Sequence, residues 1–179
     1  MTAQDTGDHE LRMRRDFLLK RAIDRRAGDL IMAGSKAVSR LRPAGKKSEM
    51  EESQLRNLLS VASEALSVDV TTNFIRYQIG RSPTADKWGC KPNDFGPTLI
   101  RDIESGTVWT AAQEADREVR DRIGGAPIPS VVDKAHLLLT RLYIGYLNRL
   151  FVYCKKREDN NCPDAWDNLF REAVAEGQR

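Results

Sequence analysis

The chain contains only three cysteines and two histidines. Cys90, Cys154 and Cys162 are irregularly spaced and form neither an even disulfide framework nor a C-x-x-C pair, so they read as reduced thiols. His9 and His136 have no Cys, Asp or Glu cluster at a spacing that would close a tetrahedral site, so no metal or cofactor is expected. Catalytic signatures are absent as well: there is no G-x-G-x-x-G, P-loop, G-x-S-x-G or H-E-x-x-H. The carboxylate pairs Asp116/Glu118 and Glu51/Glu52 fall on predicted exposed helix faces, where a solvated surface is far commoner than acid–base chemistry. Cys90, beside Lys91, lacks a histidine or helix terminus to activate it. No catalytic residue is assigned, and the chain is expected not to be an enzyme. No apolar run approaches the roughly 18 residues of a membrane span. The opening MTAQDTGDHE is not a signal peptide, so a cytoplasmic location without a membrane partner is expected.

At 179 residues, the chain is long enough to bury a core without disulfides or a structural metal, and it reads as a single helical domain over 1–179. With 40% hydrophobic and 31% charged residues, it has a globular rather than a disordered composition. The formal net charge of +3 hides an asymmetry. Leu11 to Lys47 holds twelve Lys/Arg against three acids, so the rest of the chain is net acidic. A block of that sign and density is the electrostatic footprint expected of a phosphate-binding surface.

Apolar and small residues recur every three or four positions at Leu19, Ile23, Ala27, Leu30, Gly34, Ala37 and Leu41, which predicts one helix or two, starting near His9 after a flexible 1–9 segment. Arg14, Arg21, Arg25 and Lys36 lie largely off that stripe. Pro43, Gly45 and Lys46–Lys47 end it. Ser48 with Glu51 reads as a capping box opening a second helix with Leu55, Leu58, Leu59, Ala62 and Leu66 inward. A third follows Asp69, carrying Val70, Phe74, Tyr77 and Ile75/Ile79, and Gly80 is expected to stop it in the left-handed conformation.

Residues 82–97, rich in Pro and Gly, predict a long loop in which Trp88 is either a packing anchor, the favoured role, or a base-stacking surface. Helical pattern resumes near Pro97, breaks at Ser105–Gly106, and continues through Val108, Ala112, Ala115, Val119 and Ile123. After the 124–129 turn, Ser130 with Asp133 suggests another capping box. The helix that follows carries Ala135, Leu138, Leu142, Tyr146, Leu150 and Tyr153 as one stripe, broadened by Leu139, Ile144, Leu147 and Phe151. So apolar a helix belongs at the centre of a bundle. A turn at Asn160–Pro163 leads to a short last helix with Trp166, Leu169, Phe170 and Val174. The fold class is therefore all-α, a bundle of roughly five to seven helices.

The cations beside these apolar stripes are the candidate binding residues. Arg56 adjoins Leu55, while Arg76 and Arg81 flank Tyr77, putting guanidinium groups where they can bind phosphate bidentately or stack on a base. The competing assignment for Arg56 and Arg81 is an internal ion pair to an acid such as Glu51, Glu52 or Glu64. Arg141, Arg149 and Lys156 recur on nearly one face of the late helix. Lys155 and Lys156 also suit its C-terminal dipole. Arg14, Arg21 and Arg25 represent the basic N-terminal block.

Three segments, Ser53–Leu59 (SQLRNLL), Ile75–Arg81 (IRYQIGR) and Tyr143–Lys156 (YIGYLNRLFVYCKK), together resemble the small all-helical subunit of type III CRISPR effector complexes. Members of that family carry a comparable S-Q-L/I-R-x-L helix, a Y-x-x-G-R helix end and an aromatic-rich last helix. The resemblance covers roughly residues 50–82 and 135–157. It implies a non-catalytic subunit that binds guide RNA and target RNA, or single-stranded DNA, while packing against other subunits and further copies of itself. By the same resemblance Arg56, Arg76, Arg81, Lys155 and Lys156 would line the nucleic-acid surface. The alternative from the residues alone is a free-standing helical DNA- or RNA-binding protein, or an oligomerisation adaptor, using the Leu11–Lys47 block.

Overall fold

The computed structural model describes residues 3–42, 48–81, 85–89, 94–124 and 129–160, together with 165, 166 and 168. These are helical without a strand, as the periodicity predicts. The helices are α1 (Ala3–Arg25), α2 (Ala27–Ser39), α3 (Glu52–Glu64), α4 (Val68–Gly80), α5 (Ala85–Trp88), α6 (Phe95–Glu104), α7 (Thr107–Ile123) and α8 (Val132–Asp159). All but the four-residue α5 are longer than one turn.

The 28-residue α8 packs against α7, α2 and α3, with further contacts to α1 and α4. It is the central helix its composition predicts. Its buried face differs in centre from the expected stripe: Leu139, Tyr143, Leu147, Phe151 and Cys154 are fully enclosed, whereas Tyr153 is exposed. With apolar residues on nearly every side, the helical repeat does not fix the phase, and the neighbours choose the face. Gly34 of α2 brings the two backbones close, since a Cβ there would rest 3.5–3.8 Å from Leu147 and Leu150.

Several local expectations are corrected. Helix α1 already begins at Ala3, and the chain breaks at Arg26, so the first helical region is two helices. At the start of α3 the cap is Glu51, whose N–H donates to Gln54 Oε1 at 3.0 Å. Ser48 instead accepts the Met50 N–H at 3.4 Å. Gly80 has no positive φ, and α4 gives way to extended backbone at Arg81. Helix α4 buries Thr71, Thr72, Ile75 and Gln78, leaving Val70 and Tyr77 outside. The Thr72 hydroxyl donates to Asp69 O at 3.3 Å and accepts from Arg76, so a polar side chain can sit in this seam, and the apolar count misplaced the face.

The 82–97 stretch is not one loop, because α5 lies within it and α6 already begins at Phe95. Trp88 is fully buried 5.7 Å from the Phe95 ring and serves as the anchor. Gly96 is required there: a Cβ would meet Trp88 O at 2.6 Å. The break at Ser105–Gly106 and the stripe of α7 fall where predicted.

Asp116, expected on a solvated face, is only 3% exposed. Its Oδ1 accepts the Val131 N–H at 2.7 Å and the Ser130 hydroxyl at 3.1 Å, while Arg120 pairs with Oδ2. The Ser130 oxygen in turn accepts the Val132 N–H at 3.2 Å. The orphan donors at the start of α8 are thus met by a carboxylate from α7. Trp166 packs edge-on to Phe151, 6.0 Å between centroids. The end of the first helical region at Pro43–Lys47, Cys90, Lys91, Cys162, Asn161, Pro163, Leu169, Phe170 and Val174 lie outside the described residues.

Candidate nucleic-acid interface

The ten cations singled out from sequence divide into those engaged inside the fold and those turned outward. Arg141 donates to Ala62 O at 3.2 Å and to Ala65 O at 2.7 Å, closing the carboxyl end of α3. Lys155 is half-buried and donates to Ser48 O at 2.9 Å. It also lies 3.8 Å from the buried Glu158, which Arg42 reaches at 3.5 Å. Arg76 makes two 2.8 Å bonds to Glu104 and a third to Thr72, tying α4 to α6. Arg25 pairs with Glu118. These four have structural partners, because each reaches a carbonyl or a carboxylate on a neighbouring element, although Arg25 and Arg76 remain exposed.

The others face solvent. Arg14 makes one bond to Arg122 O at 3.3 Å. Arg21, Arg81 and Arg149 lie over the rings of Phe17, Tyr77 and Tyr146 at 5.8, 5.7 and 4.9 Å. Such cation–π contacts hold the guanidinium in place. The side chain of Arg56 is 73% exposed and touches Glu52 only at 3.9 Å. Lys156, 64% exposed, reaches the other oxygen of the same Glu52 at 3.2 Å.

Glu52 therefore gathers Arg56 from α3 and Lys156 from α8 into one exposed cluster. The antiparallel course of these helices causes this: Arg141 meets the end of α3 and Lys156 its beginning. Helices α3 and α4 are joined by three residues and pack on each other, an αα-hairpin that carries Arg81 back toward the same end. Glu52 thus lies between two exposed cations, with the exposed Glu51 cap beside it.

Burial, with the Glu158 carboxylate beside it, pushes the Cys154 thiol up to about 11. It is therefore neutral and unreactive near pH 7. His136 lies 2.7 Å from Ile103 O through Nε2 and packs edge-on to Trp109. Among the described residues no group of three or more His, Cys, Asp or Glu could hold a metal ion. Among the described residues no helix is long and apolar enough to cross a membrane.

Sequence reasoning missed a second set of cations. Lys36 and Arg40 of the α2 region and Arg101 of α6 line a groove with Asp102. The i, i+4 spacing of Lys36 and Arg40 was visible, but Arg101 is more than sixty positions away, and no local signal joined them. No protein-family profile, curated protein or solved structure matches the chain.

Proposed function

We propose that the chain is a non-catalytic, RNA-binding helical subunit of a type III CRISPR effector complex, using the Arg56–Lys156 end of the α3/α4/α8 unit. The observation that supports this most is that the three segments carrying the resemblance, dispersed from Ser53 to Lys156, belong to helices that pack together. Their outward cations Arg56 and Lys156 converge on Glu52. Guide and target strands would lie against these cations, with Arg149, held over the Tyr146 ring, offering a guanidinium plane for stacking. Mixed apolar and basic patches, Met13 with Phe17 on α1 and Leu66 with Val70 near α4, would join neighbouring copies or other subunits.

The test is fluorescence anisotropy with a labelled single-stranded RNA across a salt series. The logarithm of affinity should fall linearly with the logarithm of salt, by about 0.7 per phosphate contacted. Charge reversal at Arg56→Glu with Lys156→Glu should lower affinity by at least about tenfold without loss of melting temperature. Affinity unchanged in that variant would reject the interface. Recovery of the tagged protein from its native cell without repeat-derived short RNAs would reject the complex.

A further inference from the structure

The groove between α2, α6 and α7 lies apart from the Glu52 cluster and has a different construction. It encloses about 490 Å³, within the size range of small-molecule sites, about 300–1,000 Å³. Lys36, Arg40 and Arg101 line it, all three exposed. No hydrogen bond or ion pair engages their side chains among the described residues, unlike Arg25 at the end of α1, which pairs with Glu118. Asp102 lies between these cations and the core. Its Oδ2 accepts the hydroxyl of the fully buried Tyr143 at 2.7 Å, which fixes the carboxylate in place.

Burial raises the Asp102 carboxyl above its usual range, opposed by the Tyr143 hydroxyl and then by Arg101, Arg40 and Lys36. The three cations line the same groove as Asp102, so their charges act on one carboxylate. They arrive from two helical regions distant in sequence. Thr98, Thr107 and Thr110 add hydroxyls to the wall, and Met32, Ala33 and Ala111 add an apolar strip. Two more carboxylates, Asp29 and Glu114, also line the groove; Glu114 lies 3.5 Å from Arg26 Nε and is partly neutralised.

A bare inorganic anion matches only half of this lining, because Asp102 and Asp29 would repel it. The lining suits a ligand with an anionic group at one end, hydroxyl or amino donors beside it, and a flat apolar portion. We propose that the groove binds a nucleotide: Lys36, Arg40 and Arg101 hold the phosphate, and Asp102 accepts from the hydroxyl or amino groups of the sugar or base. Guanidinium groups favour phosphate through paired N–H donors, and a carboxylate is the matching acceptor for a sugar diol or an exocyclic amine. The same chemistry is presented by a free nucleoside monophosphate and by the 5′-phosphate end of a single-stranded RNA. The inference does not rest on the RNA-binding surface at Glu52.

Isothermal titration of the full chain with adenosine 5′-monophosphate, inorganic phosphate, and one short RNA with and without its 5′-phosphate tests the proposal. Saturable binding of the mononucleotide, with a Kd below about 1 mM, identifies a free nucleotide as ligand. Binding confined to the 5′-phosphorylated RNA identifies the strand end. Arg40→Ala and Arg101→Ala should each weaken the binding about tenfold or more, with melting temperatures unchanged, while Arg56→Glu with Lys156→Glu leaves mononucleotide binding unaltered. Asp102→Asn keeps an acceptor for Tyr143 but removes the charge, so it should tighten inorganic phosphate and weaken the nucleotide. Tightening of both would overturn the nucleotide assignment. Absence of saturable binding by either nucleotide form, or wild-type affinity in the Arg40→Ala/Arg101→Ala double variant, would overturn the site.

Discussion

The seam between α1 and α7 and the groove between α2 and α6 both hold several cations, yet they dispose of them in opposite ways. At the seam, Arg25 and Arg26 meet Glu118, Arg26 also approaches Glu114, and Arg122 joins Glu118 from the next turn of α7. Partial burial works against ionisation of Glu118, but donation from Arg26 and Arg25 outweighs it and holds the carboxyl below its usual range. In the groove, Lys36, Arg40 and Arg101 form no ion pair among the described residues, and their charges only partly offset the burial that raises the Asp102 carboxyl. The denser basic sequence thus has its charge partly spent on a neighbouring helix, while the sparser one keeps its cations available. Charge density along a chain locates cations, and the docking of the next helix decides which can meet a ligand.

The sharpest way to probe this comparison is at the most deeply engaged cation. Arg141→Ala removes both donors from the end of α3 and should cost about 2–3 kcal/mol, read as a lower midpoint in urea. A change below about 0.5 kcal/mol would mean that water replaces the guanidinium and that Arg141 belongs with the available cations.

Glu118→Gln comes next, with an expected loss of about 1 kcal/mol at neutral pH for a partly exposed network. A carboxyl depressed in the folded state contributes stability above its unfolded pKa, and that contribution is lost as pH falls through the folded pKa. The difference in melting temperature between wild type and Glu118→Gln should therefore shrink on acidification below about pH 4. A difference independent of pH would remove the ionic account of the seam. The smallest effect is expected for Arg40→Ala, within about 0.5 kcal/mol of wild type. A larger loss by thermal melting would show that groove cations are structural too, and the comparison would collapse.

Much of the architecture was legible in the residues. The recurrence from Leu19 to Leu41, the break at Ser105–Gly106 and the apolar richness of the last long helix all correspond to observed elements. So does Trp88 as a buried anchor. The errors cluster where a local signal was ambiguous. On α4 the buried positions are Thr71, Thr72, Ile75 and Gln78 while Tyr77 is exposed, and on α8 apolar residues surround the axis, so neither period selects a face. The candidate interface was legible in part. Arg56 and Lys156 were both picked out as cations, but nothing in their spacing shows that one carboxylate draws them together, and Arg141 looked equivalent to Arg149.

The sequence by itself determined that the chain is helical, where most helices break, and which residues can enter a core, because these depend on neighbours within a turn or two. Only the tertiary structure decided the partners of the charges. Arg25 and Glu118 are 93 positions apart, and Arg141 and Ala62 are 79 apart. The burial of Asp116 and the meeting of Lys36, Arg40, Arg101 and Asp102 along one groove likewise follow from helix packing. Helix periodicity is carried by contacts every three or four residues, whereas an ion pair exists only once two distant helices have docked in one register.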